Sequence, residues 1–70
     1  MANTKKLKAA AKAVKMPLRK IAPAIGISEH TMQRKANNET DFRAGEIIKI
    51  RKLLGLSLEQ VEEIFLTEDE

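Results

Sequence analysis

The stretch LRKIAPAIGISEHTMQRKANN, from Leu18 to Asn38, decides how this chain folds. Its first part, Leu18 to Ile25, sets Ile21 and Ile25 four residues apart, which puts both on one face of a helix. Gly26 follows, the residue type best able to take the left-handed conformation that closes a helix. Ser28 can cap another helix running to about Ala36, so Gly26-Ile27-Ser28 is a three-residue connection and the two helices meet at one sharp bend. Small Ala22 permits their close approach, Ile21, Ile25 and Ile27 fill the wedge between them, and Met32 pins the second from beneath. One residue disturbs the pattern: Pro23 removes a backbone hydrogen bond mid-helix, typically at about 3 kcal/mol, and predicts a kinked or irregular helix.

Working outward, a first helix is expected from about Thr4 to Val14, capped by Asn3 or Thr4, with Pro17 ending or restarting the chain. Beyond the central pair, Asn37, Asn38 and Thr40-Asp41 form a polar loop, Phe42 is a candidate core anchor, and a fourth helix runs from about Arg43 to Leu54. Ile47, Ile50 or Arg51, and Leu54 set its period, Ile48 and Leu53 widen the stripe, and Gly55 ends it. Ser57 with Gln60 is the reciprocal capping pattern, with Glu59 well placed against the positive end of the helix dipole, and predicts a fifth helix to about Leu66. Leu58, Val61 and Phe65 form one face, flanked by Ile64 and Leu66, more apolar width than a small bundle covers. The acidic tail, Thr67 to Glu70, is expected to fray. No segment alternates like a strand, so the fold class is all-α, a single domain of five helices over residues 1–66.

With 70 residues, no cysteine and one histidine, the chain has neither a disulfide framework nor a Cys/His zinc site to reinforce it. Packing must come from the twenty large apolar residues that follow Met1, enough for one helical core and little else. Charge is unevenly placed: residues 1–35 carry nine basic side chains against Glu29, a net of +8, while residues 36–70 carry four basic and nine acidic ones, a net of −5. A basic half suits a polyanion or a membrane surface, and the acidic half implies that one face alone binds it. The segment Lys5 to Lys15 is basic and amphipathic, but Leu7, Ala10, Ala11 and Val14 give it a thin apolar face without a bulky anchor, so it reads as an ordinary first helix. No apolar run approaches a membrane span and no secretory signal is seen, so an intracellular, cytoplasmic chain is expected.

The third helix is the anomaly, because between Ser28 and Glu39 its only large apolar side chain is Met32. Glu29 and Gln33 share an outward face, as do His30, Arg34 and Asn37, and these side chains can pair with base edges or phosphate oxygens. Enzyme chemistry is not expected: there is no carboxylate pair, no nucleophile with a base, and the glycines stand singly at 26, 45 and 55. No cofactor or metal is implied. Stacking on single strands or RNA is disfavoured by having two Phe, both at expected core positions, and no Tyr or Trp.

At these residues the chain resembles the Cro/CI-like helix-turn-helix regulators, particularly the very short regulatory proteins of temperate bacteriophages. The resemblance rests on Leu18 to Asn38 and continues through TDFRAGEIIKIRKLLGLSLEQVEEIF, Thr40 to Phe65. It implies a compact five-helix, lambda-repressor-like DNA-binding domain with the motif at 18–37 and its recognition helix at about 28–36. It also implies a repressor or genetic-switch protein, nucleoid-associated in a bacterial host, that binds operator DNA as a symmetric homodimer. Base-reading positions carried over are Ser28, Glu29, His30, Thr31, Gln33 and Arg34. Arg34 can give two parallel bonds to guanine, Gln33 or His30 can read a purine edge or a phosphate, and Glu29 must accept from cytosine or pair with Arg34. Backbone contacts are expected from Arg19, Lys20, Lys35, Asn37, Lys5, Lys6 and Lys8. Leu58, Val61, Phe65 and Leu66 are the expected dimer or partner surface.

Two further departures from the family pattern accompany Pro23. Leu18 stands where the family commonly has a glutamine touching phosphate, and is expected to be packed or to face a partner. Arg43 holds the usual cap position of the fourth helix, so the cap is expected to shift to Asp41. A second functional class also fits: an antirepressor or modulator that binds a phage repressor protein, suited by Glu29, the Pro23 helix and the acidic second half.

Overall fold

Three of the five helix starts, and all but one of the helix ends, are set by groups that satisfy the N–H and C=O groups left over at helix termini. The computed structural model describes residues 2–66, folded as α1 (Thr4–Ala13), α2 (Leu18–Ile25), α3 (Glu29–Ala36), α4 (Ala44–Leu54) and α5 (Leu58–Phe65), with no strand among the described residues. Thr67 to Glu70, where fraying is expected, lie outside the described residues. At α1 the cap is Asn3, whose side-chain oxygen accepts from Lys6 N–H at 3.1 Å. Ser28 and Ser57 cap α3 and α5, accepting from Thr31 and Gln60 N–H, each at 3.1 Å. Gln60 Oε1 accepts in turn from Ser57 N–H at 2.8 Å, which completes the reciprocal cap.

One expectation is corrected here. The cap of α4 does not shift to Asp41: Arg43 is the N-cap residue, and its side chain, which carries only donors, leaves half of the capping box empty. Glu46 supplies the other half by accepting Arg43 N–H at 2.9 Å. Pro23 stands inside α2, which runs unbroken from Leu18 to Ile25. Pro23 and Arg19, four residues before it, are both exposed, so the carbonyl that loses its partner lies on the water side of the helix.

Four helices end the same way. A residue at positive φ follows the last turn, and the N–H after it bonds back five residues along the chain: Met16 to Ala11, Ile27 to Ala22, Glu39 to Arg34 and Leu56 to Arg51, at 2.8 to 3.0 Å. The turning residues are Lys15 (φ 57°), Gly26 (φ 86°), Asn38 (φ 65°) and Gly55 (φ 68°).

These bends fold the helices around one core. Leu7, Ile21, Met32 and Ile50, one each from α1 to α4, are fully buried. Ile64 and Phe65 from α5 and Leu56 from the α4–α5 turn close it, with Ala11, Ala22 and Ala36 where helices approach. Phe42 packs edge-on against Phe65, ring centroids 5.2 Å apart. Leu18 packs partly against this core. α2 lies on α3 and α4, while α5 lies on α1 and α4. The described helices include none long and apolar enough to cross a membrane.

Candidate nucleic-acid interface

The α2–α3 bend presents α3 by its polar edge. Met32, Lys35 and Ala36 are its buried residues, whereas Glu29, His30, Gln33, Arg34 and Asn37 are all exposed. Apart from Glu29 and Gln33, nearer the flank, those side chains point away from the buried stripe, as 3.6 residues per turn require. Two residues expected to read bases are partly committed to their own helix. Ser28 Oγ accepts from Thr31 N–H and donates to Thr31 Oγ1 at 2.9 Å, and Thr31 is half-buried.

Arg34 has a partner, but it is not Glu29. Its Nε lies 3.4 Å from Glu39 Oε1, with both side chains about half exposed, and Glu39 N–H bonds Arg34 O at 2.8 Å. The bent-back end of α3 is what brings Glu39 to Arg34, so the expected alternative of a Glu29–Arg34 pair is replaced by this one.

The expected backbone contacts divide. Arg19 and Lys20, in the first turn of α2, and Asn37, at the end of α3, are exposed. Lys5 and Lys8 are exposed on α1, and Lys6 Nζ lies 4.0 Å from Glu63 Oε1 on α5. The start of α1 is tied to the end of α3: Thr4 Oγ1 donates to Ala36 O at 2.5 Å, Ala2 N–H donates to Asn38 Oδ1, and Asn38 Nδ2 donates to Ala2 O, both at 2.9 Å. Asn38 is therefore a structural residue that the sequence placed only in a polar loop. The available signal was its residue type, since Asn is much enriched among non-glycine residues at positive φ.

Lys35 is a correction. It is not an exposed phosphate ligand but the only buried charged residue among the described ones. Its Nζ pairs with Glu46 Oε1 at 3.0 Å, donates to Asp41 O at 2.9 Å, and lies 6.0 Å from the centroid of the Phe42 ring. The signal was its register: three residues after Met32 and one before Ala36, it belongs to the inward stripe.

Burial alone would raise the pKa of the Glu46 carboxyl. Hydrogen bonds from Arg43 N–H and Lys35, with the charges of Lys35 and Arg43, outweigh it and leave the pKa below its ordinary 4.5. A carboxylate with a lowered folded pKa stabilises the fold above the unfolded value and loses that contribution as pH falls through the folded one. Glu46→Gln should therefore lower stability at about pH 7 and flatten its loss below about pH 4.5, measured as urea midpoints across the range. An unchanged acid limb would remove Glu46 from the linkage.

The expected partner surface is also corrected in part. Phe65 is buried against Phe42 and belongs to the core, and Val61 is half-buried. Leu58 and Leu66 remain, 68% and 66% exposed. Comparison with protein-family profiles, curated proteins and solved structures finds no match to this chain.

Proposed function

We propose that this protein is a sequence-specific, double-stranded DNA-binding transcription regulator, with α2 and α3 forming a helix-turn-helix of the lambda-repressor type. The observation that carries the reading is the outward edge of α3: His30, Gln33, Arg34 and Asn37 stand clear of the body, while the buried side holds the helix from beneath. A B-form major groove, about 12 Å wide, admits a helix with such an edge. Eight residues of α3 span about 12 Å, enough to address about four base pairs at roughly 3.4 Å each. So short a half-site gives little discrimination alone, which is the physical reason for a homodimer on a palindromic operator. Arg19, Lys20, Asn37, Lys5 and Lys8 would set the register on phosphates. The setting is the cytoplasm of a bacterial host, with the protein on the nucleoid when bound.

The second reading, capture of a phage repressor protein, is favoured by one observation: Leu58 and Leu66 are exposed beside the acidic residues of α5. Selecting bound duplexes from a random pool separates the two. A DNA regulator should prefer the selected duplex over random sequence by about 1,000-fold or more, with log affinity falling linearly with log salt. Equal binding to both at moderate salt would leave the protein-partner reading standing.

A further inference from the structure

We infer that Lys35 and Glu46 form a latch that sets the roll of α3 about its own axis, which makes both positioning residues for the outward edge. The inference deepens the DNA-reading role proposed above and rests on it. At about 100° per residue, with Met32 taken as the inward direction, Lys35 lies roughly 60° to one side and Ala36 roughly 40° to the other. His30, Arg34 and Asn37 fall on the far side, about 140° to 200° round.

The apolar contacts fix how deep α3 sits, but they resist rolling weakly. Ala36 offers one methyl group, and Met32 is unbranched and adapts to the space it is given. Directional bonds hold α3 at two points: Thr4 Oγ1 on the Ala36 carbonyl, and Lys35, whose ammonium is shared between Glu46 on α4 and the Asp41 carbonyl in the α3–α4 connection. Glu46 is held in turn, because its carboxylate also accepts Arg43 N–H at the start of α4. Only 9% of the Lys35 side chain and 14% of the Glu46 side chain are exposed, so water competes little for either group. A roll of about 20° would move a side-chain tip about 6 Å from the axis by about 2 Å. Binding constellations tolerate roughly 0.5 Å.

A phosphate ligand and a positioning residue leave different marks. Losing a phosphate contact weakens all duplexes alike and reduces the salt slope by about 0.9, whereas losing the latch leaves the slope and erodes the preference for the correct sequence. The main variant is Lys35→Met with Glu46→Gln. It removes both charges together, so no charge is stranded, and Gln keeps an acceptor for Arg43 N–H. Lys35→Met alone is the companion.

Two measurements on the whole chain decide the matter. Without DNA, amide hydrogen exchange over Gln33 to Ala36 should quicken relative to α2 in the double variant, and protection equal to wild type would overturn the latch. With DNA, the ratio of affinity for a duplex selected by wild type to that for random sequence should fall about tenfold or more, at an unchanged salt slope. An unchanged ratio, or a slope reduced by about 0.9, would overturn it too. If wild type itself shows no preference among duplexes, the DNA reading fails, and the exchange measurement alone still decides whether Lys35 and Glu46 hold α3.

Discussion

Met32→Ala should leave the domain largely unfolded at 25 °C. Met32 is fully buried and is the only large apolar side chain that α3 contributes to the core. Truncating a buried methionine typically costs about 2 to 5 kcal/mol, through lost transfer energy and the cavity left behind. Domains of this size have roughly 3 to 5 kcal/mol to lose. Ala36 cannot compensate, since its methyl is already buried, and Lys35 is tied to Glu46. Met32→Leu, of nearly equal volume, should cost under about 1.5 kcal/mol and retain a cooperative transition. Circular dichroism against urea for the three proteins tests this. A cooperative Met32→Ala transition displaced by less than about 1 kcal/mol would show that α3 is held chiefly by its polar contacts.

The contrast between Met32 and Lys35 also explains what the sequence revealed. Helix starts are legible where a hydroxyl or amide can cap the first turn, as at Asn3, Ser28 and Ser57, and helix ends where glycine stands, at Gly26 and Gly55. The same closing turn is not legible at Lys15, because lysine does not require positive φ, and at Asn38 only the residue type points to it. The cap at Arg43 is not legible for a related reason. The capping rule asks for an acceptor at that position, whereas here Glu46 meets the need from three residues on.

The candidate site shows the same division. That His30, Arg34 and Asn37 face outward follows from periodicity alone, and Glu29 and Gln33, nearer the flank, are exposed with them. Long-range partners do not follow from it. Lys35 reads as one more cation in a basic half until the α3–α4 connection brings Glu46 and the Asp41 carbonyl to it. Phe65 reads as surplus apolar width until the same connection delivers Phe42 to its edge. Compositional charge thus overstates the exposed basic surface by the one lysine that the fold turns inward.

Arg34→Ala should abolish discrimination at a single base pair and lower affinity for the selected duplex by about 5- to 150-fold, equivalent to about 1 to 3 kcal/mol, while leaving stability within roughly 0.5 kcal/mol of wild type. The magnitudes decide between two partners for this guanidinium. Its ion pair with Glu39 joins two half-exposed side chains and is worth about 0 to 1 kcal/mol, less than a bidentate contact to guanine. On the proposed DNA reading, the pair holds Arg34 loosely in the free protein and would yield on binding, or persist through Nε while the terminal nitrogens face the base. Arg34→Lys should not restore the preference, because an ammonium keeps the charge and loses the planar fork. Affinities across duplexes substituted at each position, measured with wild type and both variants, read this directly. A uniform loss at every position would reassign Arg34 to phosphate contact and leave base reading to His30, Gln33 and Asn37.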